Sequence, residues 1–470
     1  MADTKISALP SGAPAQAGDE YVIARSGANY KLTGTNLLGL VTSTANTFTA
    51  DQTFGIANAT TLDATNVEVT NLKAKDGTAA ATIANSTGVI AVSTKVEYAD
   101  GTAAAPTVTN TGDTDTGVYF PAANEVAVST GGTVAAAFNS NGLFFRNRII
   151  NGDMRIDQRN VGAAVTTSAS FVVDRFSIVN STDGAFSAQQ DSSAPTGFVN
   201  SVKVTATTAD TSLTAAQTLN FSQVIEGTNI ADLGWGTANA LPVTLSFWVR
   251  SSLTGTFGGS LRNNGATRSY PYSYAISAAN TWEYKTITIP GDTAGTWLTT
   301  TGAGIICTFG LGAGPDRSGT AGAWASVNAA APTGAVSVIG TLNATWYITG
   351  VQLETGSVAT PFERRPYGTE FFLCQRYYQE VGVAAENNFI YQAYAGSGST
   401  YYVPLPLAVQ MRAAPTGTVA GTWGSGNVTG AFTVNASANS YRLNITATGA
   451  GNFSIQNNGA GSKLTFAIEL

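Results

Sequence analysis

The 470 residues suffice for roughly two to four domains, each with its own core. Only 11% of them are charged and the net charge is −6, against about 25% charged in ordinary soluble domains. No basic stripe exists for a nucleic-acid backbone to follow. The chain contains no histidine, which excludes His-based triads, His metal ligands and the usual general base near neutral pH.

Gly supplies 51 residues among abundant Ala, Thr, Ser and Asn, a mixture that favours short strands and turns over helices, so the fold class is read as mainly β. Residues 1–145 hold twelve acidic and six basic side chains and so account for the whole −6. Residues 1–45 form a small module with a strand candidate at Tyr21–Ala24 and a helical candidate at Thr35–Leu40. It carries too little apolar material to stand alone and is expected to dock on something. The opening Met1-Ala2-Asp3-Thr4-Lys5 offers no apolar run for a signal peptide, and no later stretch is long enough for a membrane span, so synthesis in the cytoplasm without membrane insertion is expected.

Residues 46–145 are repetitive. Asp-Gly-Thr-Ala-Ala-Ala occurs at 76–81 and at 100–105, and Ile90–Thr94 is echoed by Val126–Thr130. Single Val and Ile positions among Ala, Thr and Gly cannot offset the entropy of ordering one chain. The expectation is a thin shaft whose copies bury these positions against each other.

Residues 146–366 gain six of the seven tryptophans and period-two strands. In Val243–Arg250 the residues Val243, Leu245, Phe247 and Val249 share one face. Further strands are expected at Phe171–Val179, Val199–Thr205, Trp282–Ile289, Ile305–Phe309 and Trp346–Leu353, and their spacing suggests a jelly-roll sandwich. Residues 367–380 hold a connecting helix, best placed at Thr369–Tyr378 with Thr369 as its cap. Residues 381–470 return to strands and end in the alternating Leu464, Phe466, Ile468 and Leu470. That last module holds only five charges, Glu386, Arg412, Arg442, Lys463 and Glu469.

From Asn151-Gly152-Asp153-Met154-Arg155-Ile156-Asp157-Gln158-Arg159 and Val173-Asp174-Arg175-Phe176 onward, the chain resembles a module of phage tail fibre and receptor-binding proteins. The likeness continues through Ile348–Gly356, Thr360-Pro361-Phe362-Glu363-Arg364-Arg365-Pro366 and Leu373-Cys374-Gln375-Arg376-Tyr377-Tyr378-Gln379. Asp113–Tyr119, Thr4–Pro10 and Pro406–Pro415 are similar to shaft, opening and C-terminal segments of the same family. The resemblance implies an elongated homotrimer on the virion. Residues 1–45 would attach to a tail, baseplate or adaptor protein, and the C-terminal tip domain would face a host surface glycan. A head fibre or capsid decoration protein, and a tailspike with glycan depolymerase activity, are the alternatives.

The expectation is a binding protein and not an enzyme, with no cofactor. Glycoside cleavage would need two carboxylates about 5 to 10 Å apart. The candidates are Asp113 with Asp115 and Asp153 with Asp157, and for each a turn or an arginine pairing is the favoured reading. Gly310–Gly314 is read as a turn, because Pro315 stands where a phosphate-binding helix would open. Cys307 and Cys374 are expected to be free buried thiols, and no residues define a metal site. Candidate glycan-binding residues are Tyr391, Tyr394, Tyr401, Tyr402 and Trp423 near the C-terminus and Tyr270, Tyr272 and Tyr274 in the sandwich; core or intersubunit packing is the competing role for both sets.

Overall fold

The computed structural model describes residues 20–25, 28–33, 71–73, 79–83, 90–92, 95–138, 146–382, 389–458 and 461–470. Strands hold 47% of the chain and helices 5%, which is the mainly-β class expected. No helix among the described residues is long and apolar enough to cross a membrane. The expected helix at Thr35–Leu40 and the segment Thr4–Pro10 lie outside the described residues.

Two compact units divide the chain, Met1–Val96 and Glu97–Leu470. In the first, β1 (Glu20–Arg25) and β2 (Ala28–Thr33) form an antiparallel hairpin, and β1 contains the expected Tyr21–Ala24. β3 (Asn71–Lys73), β4 (Ala79–Ile83) and β5 (Ile90–Val92) form a separate three-stranded sheet.

The second unit opens with a four-stranded meander, β6 (Val108–Asn110), β7 (Asp113–Tyr119), β8 (Val126–Thr130) and β9 (Thr133–Phe138). Asp113 and Asp115 lie on β7, after the Thr111-Gly112 turn and not within it. Val108, Val126 and Phe138 stay exposed, whereas Tyr119 and Ala127 are buried.

The sandwich follows. Its strands are β10 (Ser170–Val173), β11 (Phe176–Asn180), β12 (Ala185–Asp191), β13 (Ser201–Thr208), β14 (Thr218–Glu226), β15 (Val243–Ser251), β16 (Gly255–Arg262), β17 (Ser269–Ile276), β18 (Glu283–Ile289), β19 (Ala303–Ala313), the short parallel pair β20 (Ser318–Gly319) and β21 (Ala331–Pro332), and β22 (Thr345–Thr355). One sheet runs β10-β11-β14-β19-β16-β17 and the other β12-β13-β22-β15-β18. Alternation on β15 turns Val243, Leu245, Phe247 and Val249 inward, as its period of two requires. Phe309 of the six-stranded sheet meets Phe247 and Trp346 of the five-stranded sheet at ring separations of 5.1 and 5.8 Å. Each such buried ring stabilises the fold by about 1.5–3 kcal/mol through area removed from water.

Three expectations require correction. The single strand foreseen over Phe171–Val179 is two, β10 and β11, joined by a tight turn at Asp174-Arg175 where Arg175 takes a φ of 71°. Residues Gly310–Ala313 continue β19 and do not turn; a Cβ at Gly310 would stand 2.6 Å from the Ala331 Cβ, and one at Gly312 the same distance from Ile339, so glycine admits neighbours packed directly on the strand. The helix covers Tyr367–Gln375, so Thr369 lies inside it and Pro366 occupies the cap.

The remaining strands are β23 (Tyr378–Val381), β24 (Phe389–Ala395), β25 (Thr400–Pro406), β26 (Thr416–Ala420), β27 (Trp423–Gly426), β28 (Thr433–Ala436), β29 (Ser440–Thr446), β30 (Gly451–Asn457) and β31 (Lys463–Ala467). They make three three-stranded sheets around a core that includes Phe453, Phe466, Leu443 and Met411.

A buried polar clasp joins this module to the sandwich, and the sequence motifs of the fibre resemblance supply its parts. Asn151, fully buried with a φ of 58°, donates its amide to the Ile156 and Asp174 carbonyls and accepts from the Ile156 N–H at 3.0 Å. Glu226 accepts from Arg376 Nε at 3.0 Å and Nη2 at 2.7 Å and from the Tyr377 hydroxyl at 2.7 Å. Those bonds outweigh burial and hold its carboxyl below the usual range. Arg159 and Arg175 pair with Glu469, and Arg412 donates to the Ile468 and Glu469 carbonyls, which ties the last residues down.

Asp174 responds oppositely. Burial pushes its carboxyl up to about 6, although Arg159 and Gln158 favour the charged form. A carboxyl whose folded pKa lies above its unfolded value stabilises the fold most below about pH 4 and loses that contribution as pH rises through about 6. The stability of Asp174→Asn relative to the native chain should therefore rise between pH 4 and 7, by at most about 3 kcal/mol, in urea titrations at both ends. A pH-independent difference would refute burial as the dominant influence.

Candidate functional site

The outward positions of β15 and β18 alternate with the core positions and stand in register. Thr244 faces Thr288, Ser246 faces Thr286 and Trp248 faces Tyr284 across the two strands. The Trp248 and Tyr284 rings lie 5.3 Å apart, and Tyr284 is 42% exposed. β22 borders β15 on the other side, and its register slips between Ser246 and Trp248. Gly350 sits in that bulge with a φ of 63°; a Cβ there would stand 2.8 Å from the Phe198 ring and 3.2 Å from Trp248. The missing side chain thus lets Phe198 close over the sheet beside Trp248. Phe198 in turn meets Phe362 edge to face at 5.2 Å, and the Arg364 guanidinium lies 4.6 Å from the Phe198 centroid.

The meander β6–β9 and the turn before it supply the opposite wall through Thr102, Tyr119, Pro121 and Val134. It is fastened to the sandwich by Glu125, whose buried carboxylate accepts the Ser357 N–H at 3.0 Å and its hydroxyl at 2.6 Å. Between the two walls runs an open cleft of about 840 Å³, within the roughly 300–1,000 Å³ typical of ligand sites. Its floor pairs aromatic rings with hydroxyls. Thr244 and Thr288 donate to the Gly356 and Ser357 carbonyls at 2.8 Å each, which orients their oxygens; Thr286 is exposed.

The tyrosines Tyr270, Tyr272 and Tyr274 do share one face of β17, but it is the inner one. Tyr272 donates its hydroxyl to the Thr308 carbonyl at 2.8 Å, Tyr274 accepts from Trp346 Nε1 at 3.3 Å, and Tyr270 packs on Trp324. All three are buried, so their expected glycan contact is corrected to a core role. The C-terminal set is divided. Tyr391 and Tyr401 stack toward Phe453, and Trp423 packs edge to face on Phe432 while its Nε1 donates to the Ala420 carbonyl at 2.8 Å. Tyr394 and Tyr402 remain exposed at 69% and 61%, and Arg442 covers Tyr402 at 4.7 Å.

Of the carboxylates weighed for chemistry, Asp113 and Asp115 meet on β7, where the Asp113 side chain hydrogen-bonds Asp115 and raises its carboxyl above the ordinary range, whereas the other two are engaged elsewhere. Asp153 pairs with Arg155 at 3.0 Å, and Asp157 accepts from the Asn160 and Gly162 N–H groups at 3.0 and 2.8 Å. Cys307 and Cys374 are free and buried, and burial pushes the Cys307 thiol up to about 12. Among the described residues no group of His, Cys, Asp and Glu is placed to hold a metal.

Sequence reading missed the cleft. The outward alternation of Thr244, Ser246 and Trp248 was visible beside the inward one, but their register with β18 and the approach of Phe198 are long-range pairings.

No family model matches the chain. No curated protein matches it either. Among solved structures, it is similar to the tailspike protein 4 enzymatically active domain of bacteriophage CBA120 at 13% identity and a TM-score of 0.24, over 45% of this chain and 21% of that one. A family 11 carbohydrate-binding module from Clostridium thermocellum, solved with a β-1,3-1,4-mixed-linked tetrasaccharide, aligns at 11% identity over 42% of this chain and 97% of its own, with a TM-score of 0.21. The N-terminal cellulose-binding domain of Cellulomonas fimi β-1,4-glucanase C aligns at 15% over 41% and 100%, with a TM-score of 0.19. At such values these likenesses decide nothing about function.

The Gly350→Ala substitution should lower stability by about 1–2 kcal/mol, since it places a Cβ at positive φ against Phe198. Thermal melting would measure the loss, and an unchanged melting temperature would show that the bulge tolerates a side chain.

Proposed function

We propose that this protein is an adhesive fibre component that binds carbohydrate at the cleft over the outer face of the five-stranded sheet, without catalysing a reaction. The observation that carries the reading is the Trp248 and Tyr284 pair on the cleft floor beside the exposed hydroxyls of Thr286 and Thr288. The C–H face of a pyranose is weakly positive and lies well on the negative face of an aromatic ring. Its hydroxyls need partners that both donate and accept, which Ser and Thr provide. The walls leave the cleft open at the surface, so a chain can lie along it.

The wider role rests on the residues that resemble phage tail fibres. In this reading the protein is a virion tail fibre that binds a host surface glycan during adsorption, with residues 1–45 held by a tail, baseplate or adaptor protein. Three chains pack side by side, which supports weak sites through avidity. The exposure of Val108, Val126 and Phe138 on the meander favours that assembly, because a neighbouring copy would cover them.

On a glycan array, the full chain should bind a subset of oligosaccharides, and Trp248→Ala combined with Tyr284→Ala should weaken that binding about tenfold or more while circular dichroism and a cooperative melt show the chain still folded at the assay temperature. Binding indifferent to both substitutions would remove the cleft from the reading. Sedimentation equilibrium should return the mass of three chains, whereas the mass of one would remove the fibre assembly and leave the cleft untouched.

A further inference from the structure

Beyond the cleft lining, in which Arg364 is the one cation among the described residues, the outer face of the sheet continues past Trp248. One repeat further along β15 stands Arg250, paired across β22 with Tyr347, which is in turn paired with Lys203 of β13. The Arg250 guanidinium lies 4.0 Å from the Tyr347 ring centroid and 5.5 Å from that of Trp282. The Lys203 ammonium lies 5.7 Å from the same Tyr347 ring. On the other side of Trp248, Arg364 rests on Phe198 at 4.6 Å and Phe362 at 5.8 Å. Three cations therefore flank the aromatic floor, each seated on a ring that fixes its position while leaving hydrogen-bond donors for a ligand.

None of the three forms an ion pair among the described residues. The acids nearest in sequence or register are committed elsewhere. Asp191 accepts the Ser193 N–H at 2.8 Å, Glu354 accepts from Thr360 and Gln352, and Asp153 is paired with Arg155. Arg250 does donate to the Ser193 hydroxyl at 3.1 Å, but its buried Nε has no acceptor. No Asp or Glu lines the cleft. In a chain of net charge −6, three cations with no close ion pair on one face favour a ligand that brings negative charge; Asp153, which attracts Arg364 from beyond ion-pair distance, is itself paired with Arg155. Lys203 and Arg250 repel each other across one ring, and an anion between them would turn that repulsion into two attractions.

We propose that the cleft is selective for acidic glycans. The carbohydrate ring stacks on Trp248 and Tyr284, and anionic substituents, whether carboxylate, sulfate or phosphate esters, are met by Arg250 with Lys203 on one side and by Arg364 on the other. This inference rests on the glycan-binding reading above and names the ligand class of the same site.

The test uses the full chain and calorimetric titration with a uronic-acid oligosaccharide, the same oligosaccharide after carboxyl reduction, and a sulfated neutral-backbone oligosaccharide. The acidic ligand should bind at least about tenfold more tightly than its reduced form, and its affinity should fall as salt rises. The sulfated ligand decides whether carboxylate geometry or anionic charge alone is read. Lys203→Gln with Arg250→Gln, and separately Arg364→Gln, should each weaken the acidic ligand about tenfold while leaving the reduced form unchanged. Equal affinity for acidic and reduced ligands, at every salt concentration, overturns the selectivity but leaves the glycan cleft standing. Failure of all three ligands and of the glycan array overturns the glycan reading itself. Because the ligand comparison is made on the unaltered chain, it stands even if a cation variant proves unstable.

Discussion

Buried charge must be matched inside a protein, and the arrangement of the larger unit depends on how that is done around Glu226. Arg376 binds this carboxylate with two nitrogens and Tyr377 adds a hydroxyl. An isolated charge there would cost several kcal/mol, so these partners, which directly follow the helix, fix where it docks. The same helix places Glu370 against the Asn151 N–H at 2.6 Å and near Arg365. Arg365 reaches back to the Asn147 and Ile149 carbonyls. The clasp therefore closes the two ends of the sandwich onto each other, and β22 emerges from it with its register determined.

That register produces the cleft. Leu353 N–H donates to the Asn147 side chain and Arg148 N–H to the Leu353 carbonyl, so the segment entering the sandwich lies along β22. The slip near Gly350 then lets Phe198 fold over the sheet, and the loop 356–362 receives the meander through Ser357 and Glu125. A rigid joint thus holds a shallow, wettable floor open between two walls. A ligand entering there would need no movement of the core.

The residues that resemble phage fibres are, in this structure, the parts of the clasp. Asn151, Asp174, Arg175 and Arg365 carry polar side chains into the interior, where Asn151 donates to the Asp174 carbonyl, Arg175 pairs with Glu469, and Arg365 pairs with Glu370 of the helix, which lies outside those motifs. Their positive φ at Asn151 and Arg175 is held by that network. Such residues tolerate little substitution for reasons of packing alone, so a motif can be prominent in a sequence and still stand apart from the cleft. The surface itself is written in ordinary residues, Trp248, Tyr284, Thr286 and Arg250, on strands whose inward neighbours dominate the pattern.

The sequence by itself determined the β class, the inward face of β15, the free buried cysteines and the lack of histidine chemistry, because composition and period-two alternation are local properties. The same alternation placed Tyr270, Tyr272 and Tyr274 on one face, but whether that face met solvent or core depended on which side the second sheet covered. Gly310–Gly314 looked like a turn because glycine permits one; Gly310–Ala313 instead continue the strand, with Ala331 and Ile339 packed directly on it. The tertiary structure alone decided that Trp248 would meet Tyr284, that Phe198 would close over Gly350, and that Arg250 and Lys203 would share Tyr347. Those contacts join residues dozens of positions apart, and their geometry follows from strand register, which no short stretch of sequence contains.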